Sequence, residues 1–208
     1  QLIPGTHPPT HEHPGGEELM ECFLATTRGR KPWNLEFVYA DRPLIPRGRE
    51  GAFDCRWVQP AINIVTREDR HWLYYVGLAR SHAGKLSPKL DGPAGGIGLA
   101  TLRRDRFVGL AAGGRSGTVT THPFRFDGSA LELNIDALRG EVLVEVLDRD
   151  KTPYPGFSRA EAIAGRSVDS LRWRPGWKRK RNLETLRGKT VRLRVTLNES
   201  EARRERER

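Results

Sequence analysis

The sequence predicts an all-β protein: a partial β-propeller of one to two blades followed by an antiparallel, jelly-roll-like β-sandwich. Three observations carry this. The chain holds 22 glycines and 14 prolines among 208 residues, a supply of turn formers that suits many short strands better than helices. Apolar runs rich in β-branched and aromatic residues recur between polar turns. In the second half the alternation is strict: Leu131, Leu133 and Ile135 share one face, as do Val191, Leu193, Val195 and Leu197, with Arg192, Arg194 and Thr196 opposite. Period two with a single apolar face is the pattern of antiparallel sheets packed on one side.

Along the chain, residues 1–18 are rich in Pro, Gly and His without apolar periodicity and read as loop. Strand character starts at Leu19–Thr27, breaks at a basic turn, and resumes at Asn34–Ala40. A Pro/Gly connection leads to a hairpin: Trp57–Val65, a polar turn, then His71–Ala79. Pro60 restricts the first of these strands to an edge or to an early ladder position. A long loop precedes the strand that begins at Ile97. The motif LATTR at Leu24–Arg28 recurs as LATLR at Leu99–Arg103, each copy followed by a basic turn and an aromatic, Trp33 or Phe107. Strand, turn, aromatic, long loop, hairpin and the same strand again is the order that successive propeller blades give. Residues 19–108 are therefore assigned to propeller blades and 109–198 to the sandwich. Five strands are expected there: Gly117–Phe126, Ser129–Leu138, Gly140–Asp150, Ser167–Trp177 and Lys189–Ser200. Ala160–Gly165 and Asn182–Gly188 read as single helical turns. Residues 199–208 form a charged tail.

Charge and cysteine content bound the function. The formal net charge is +10, which raises polyanion binding as a reading. The excess is mostly arginine spread along the chain, so a charged solvated surface is favoured. The sharpest basic cluster, Arg172–Arg181, offers Trp177 for base stacking beside Lys178–Arg181. No nucleic-acid-binding motif accompanies it, and nucleic acid is not favoured as a partner. No apolar run approaches the roughly 20 residues of a helical membrane span, and no membrane partner is expected. Cys22 and Cys55 either pair once or stay as two buried thiols. P-loop, dinucleotide-fingerprint, nucleophile-elbow and C-x-x-C patterns are absent, and no cofactor is expected. No signal-peptide pattern is visible, and Met20 is the sole methionine.

The run ECFLATTR, Trp33, DRPLIPRG, GAFD, HWLYYVG and IGLATLRRDRFVGL, followed by PFRF, LELNIDA, VEVLD and GF, resembles the C-terminal portion of bacterial glycoside-hydrolase-like proteins. In families 32 and 43 and their relatives, a five-bladed propeller is joined to a β-sandwich. The resemblance spans about Leu19 to Leu197. It implies that earlier blades precede this segment, so that the chain is a fragment, and that the partner is carbohydrate. Glycoside hydrolysis needs two carboxyl groups, one protonated and one ionised. By the resemblance, Glu21, placed before Cys22, stands where family 32 enzymes carry their general acid, and Asp54, placed before Cys55, lines an acidic pocket. Trp57, His82 and His13 become candidate substrate contacts, against core packing for the tryptophan and an incidental loop position for His13, and a nucleophile is expected from an earlier blade. The competing readings make Glu21 a solvent-facing strand residue and Asp54 a turn cap. His7, His11 and His13 have three imidazoles close in sequence but no acidic or cysteine partner placed with them, and no metal site is assigned.

Overall fold

The structure, a computed structural model, describes residues 2–6, 18–179 and 182–199. Among these residues the protein is nearly all-β, with one four-residue helix and one 3-10 turn. The chain divides into two compact units, Gln1–Phe107 and Val108–Arg208. No helix of the described residues is long and apolar enough to cross a membrane.

The first unit is a single six-stranded sheet. Strand β1 (Leu2–Thr6) pairs antiparallel with β2 (Met20–Leu24), Leu2 facing Leu24. Residues 2–6 thus depart from the loop expected over 1–18. β1 stands at the end of the strand order, where Pro4 withholds no hydrogen bond from an inner ladder. Cys22, Phe23 and Leu24 are buried. Asn34–Ala40, expected as strand, instead forms helix α1 (Glu36–Tyr39). Asn34 makes a single antiparallel bridge with Thr26, and its Oδ1 accepts the Glu36 N–H at 2.9 Å, a local side-chain bond that turns the backbone away beyond that bridge. Asp41 then closes the turn at φ +51°.

The expected hairpin forms in pieces. β3 (Trp57–Pro60) and β4 (Val65–Arg67) both pair antiparallel with β5 (Arg70–Leu78). The continuous strand expected over Trp57–Val65 is interrupted after Pro60, and Ile62 is fully exposed. β6 (Gly95–Arg103) completes the sheet, in unbroken register with β5 from Arg70↔Arg103 to Leu78↔Gly95. Cys22, Ile45, Val58 and Leu73 form the buried core, with Tyr75, Leu102 and Phe107 packed on it.

The second unit holds a five-stranded sheet and a two-stranded ribbon. β7 (Gly117–Thr120) and β8 (Phe124–Arg125) are its first strands. β9 (Leu133–Leu147) is one 15-residue strand where two were expected. Arg139–Gly140 does not turn, because each half of β9 finds its own neighbour. Its first half pairs with β11 (Gly165–Trp173) and its second with β13 (Thr190–Glu199). β10 (Ala162–Ile163) pairs with β12 (Gly176–Trp177). The expected helical turn at Ala160–Gly165 is confined to the residues before β10, where Glu161 N and Ala162 N both donate to Ser158 O. The turn expected at Asn182–Gly188 forms as a 3-10 turn, Glu184–Leu186. The core gathers Val142, Val144, Val146, Val191, Phe157 and Trp177 among others, each aliphatic side chain contributing roughly 1.5–3 kcal/mol on burial.

Candidate functional site

The candidate residues of the first unit are assembled by the meeting of β2 and β3. These strands run parallel at Met20↔Trp57, and Met20 N donates to Arg56 O at 3.0 Å. Glu21 and Trp57 consequently stand on adjacent strands. Glu21 is buried, contrary to a solvent-facing reading, and its Oε1 accepts from Arg47 Nε at 3.0 Å. Arg47 Nη1 also donates to Cys55 O at 3.1 Å. One guanidinium therefore ties Glu21 to the backbone beside Asp54.

Asp54 is also buried. Tyr75 Oη donates to its Oδ2 at 2.8 Å. A Cβ at Gly48 would run into Asp54 Oδ1, and one at Gly77 would run into Asp54 Cβ and lie 2.7 Å from Phe53 Cε2. The absence of side chains at these two positions makes room for the carboxylate. The Tyr75 hydroxyl is pushed up to about 12, first by burial, then by its hydrogen bond to Asp54 and by the negative charge there. A separate polar cluster of the same unit centres on Glu50, whose Oε1 accepts from Arg56 Nη2 at 3.1 Å and from Ser87 Oγ at 2.5 Å.

The open part of the site is aromatic. The Trp57 and His82 rings stack with centroids 5.4 Å apart and planes at 15°. His82 Nδ1 lies 2.6 Å from Glu18 Oε2, and His82 N donates to Glu18 O at 3.0 Å. With the Glu18 carboxylate as acceptor, Nδ1 is the donor of this contact. The Glu18 and His82 side chains are 56% and 59% exposed, whereas Glu21 and Asp54 are each 7% exposed. Glu18 and His82 are thus open to solvent beside Trp57, whereas Asp54 is enclosed on the sheet face that carries Gly77 and Tyr75.

Sequence reasoning missed Glu18, Arg47 and the partnership of Tyr75 with Asp54. Glu18 lies at the end of a loop, and Arg47 within the Pro/Gly connection. Neither has a spacing signal, because their roles arise from contacts across 64 and 26 residues. His13, together with His7 and His11, lies outside the described residues. Among those described, no group of three His, Cys, Asp or Glu could hold a metal ion.

Cys22 and Cys55 are free, buried thiols. Burial pushes Cys22 up to about 11, against a smaller opposing effect of its hydrogen bond with the Ile45 backbone. In the second unit, Trp177 is not available to stack on a base. It is buried, donates Nε1–H to Val144 O at 3.0 Å, and meets Phe157 edge-on at 5.1 Å.

Comparison with protein families, curated proteins and solved structures finds no match to this chain.

Proposed function

We propose that this chain is part of a carbohydrate-active, glycoside-hydrolase-like protein, and that Trp57, His82 and Glu18 form its sugar-contacting face. The observation that carries the reading is the convergence of residues distant in sequence. The Arg47 clamp ties Glu21 to Cys55 O, and Trp57, two residues after Cys55, stacks on His82. An aromatic face beside hydrogen-bonding groups suits a sugar, whose rings offer C–H surfaces and whose hydroxyls both donate and accept. On the resemblance to propeller–sandwich glycoside hydrolases, Glu21 is the candidate general acid and Asp54 a pocket carboxylate. Their enclosure favours sugar contact over bond cleavage as the contribution of this segment.

The test is release of reducing sugar from a glycan panel, with Glu21→Gln and Asp54→Asn as variants. Release that disappears in either variant, with the fold retained, supports hydrolysis. Retention of glycan without turnover supports a binding module. Neither release nor retention on any glycan contradicts the proposal.

A further inference from the structure

We propose that β6 receives an extended polypeptide strand along its free edge, and that this strand carries aliphatic residues at alternate positions and a carboxylate that meets Arg103. Two independent features of β6 lead there.

The first is the edge itself. β6 has nine residues and pairs with β5 alone among the described residues. Proteins blunt such edges with charges, prolines, bulges or short strands. Gly95–Leu102 contains neither charge nor proline, and its register with β5 runs without a shift over all nine pairs. The backbone donors and acceptors on the far side form the template that β-strand addition uses.

The second is the exposed face that an added strand would extend. Period-two alternation puts Tyr74 and Val76 of β5 beside Leu99 and Ile97 of β6. All four are exposed, Ile97 to 79%. At one end of the same face Arg67, Arg70 and Arg103 stand in one cross-strand row. Arg70 Nη1 donates to Thr101 Oγ1 at 3.3 Å, and Arg103 Nε is 3.8 Å from Asp69 Oδ2. Three guanidinium groups in one row give this end of the face a positive field, and a carboxylate on an added strand complements it in addition to the Asp69 already beside Arg103. Gly95–Arg103 has no acidic residue, so a second copy of this strand cannot supply the carboxylate. The occupant we commit to is a segment of a partner polypeptide with that pattern.

The experiment titrates the full 208-residue chain with fluorescent ten-residue peptides of alternating Val and Thr. Each carries Glu or Lys at its first or last position, since the edge accepts either strand direction. The expected result is saturable anisotropy for a Glu-ended peptide, roughly tenfold tighter than its Lys-ended counterpart. Binding should be lost when alternate amides are N-methylated, which removes the ladder but keeps the side chains. Arg103→Glu, checked for retained fold by circular dichroism, should invert the preference towards Lys. No saturable binding, equal affinity for both peptides, indifference to N-methylation, or an unchanged preference in Arg103→Glu overturns the proposal. Concentration-dependent dimerisation that blocks peptide binding also overturns it, since the occupant would then be a second copy.

Discussion

Replacing Tyr75 with phenylalanine tests the reading of Asp54 as a carboxylate built into the sheet. The Tyr75 hydroxyl makes the only hydrogen bond to the Asp54 carboxylate among the described residues, at 2.8 Å. Tyr75→Phe keeps the ring, and with it the offset stacking on Phe53 at 6.4 Å, but leaves a buried carboxylate without its donor. A hydrogen bond to a charged group is worth about 1.5–3 kcal/mol. Because Tyr75 is only half-buried, the lower part of that range applies, about 2 kcal/mol at pH 7. The pH dependence gives a second signature. The Tyr75 pKa is about 12 in the folded protein, raised from 10. A raised folded pKa means that the stabilisation is complete below pH 10 and is lost as pH rises from 10 through 12. Urea unfolding of wild type and variant at pH 7 should therefore show the gap, and the gap should narrow over pH 10–12. The effect should be confined to the transition of the first unit. A variant within about 0.5 kcal/mol of wild type, or a gap that stays constant to pH 12, refutes the assignment.

Three further outcomes follow from the packing. Gly77→Ala should destabilise the first unit by about 1–3 kcal/mol, because the added methyl runs into Asp54 and Phe53; unchanged unfolding in urea contradicts the tight approach. Trp177→Ala should cost the second unit about 3–5 kcal/mol, since a buried indole and its bond to Val144 O are both lost; a solvent-exposed Trp177 would give almost no change by calorimetry. Both thiols should resist a maleimide at pH 7 in the native state and react after unfolding, because Cys22 and Cys55 are buried and burial raises the Cys22 pKa to about 11. Fast native labelling at either position, read by mass spectrometry, contradicts this.

The strands with one buried face were legible in the sequence. In β13, Val191 and Leu193 are buried as the alternation requires, but further along the strand Val195 and Leu197 are half-buried and Thr196, expected on the outward face, is buried; β5 falls where the aromatic run predicts. Elements decided by a local side-chain bond or by distant partners were not. Asn34–Ala40 has the composition of a strand, yet it closes a helical turn through Tyr39 N to Leu35 O and Ala40 N to Glu36 O, with the Asn34 side chain accepting from Glu36 N at its start. Arg139–Gly140 looks like a turn in isolation and is carried through as strand because β11 and β13 bracket it. The same division holds at the site. Glu21, Asp54, Trp57 and His82 are candidates the sequence offers on the resemblance alone. Arg47 and Glu18, which position them, are visible only once β2, β3 and the connecting loops meet in space.

Glycan retention by the intact chain and by Trp57→Ala bears most directly on the proposed sugar-contacting face. Saturable binding to at least one glycan of a broad array, weakened about tenfold or more in Trp57→Ala in line with the loss of an aromatic platform, is the expected result. No binding to any glycan, or equal binding by both proteins, contradicts it.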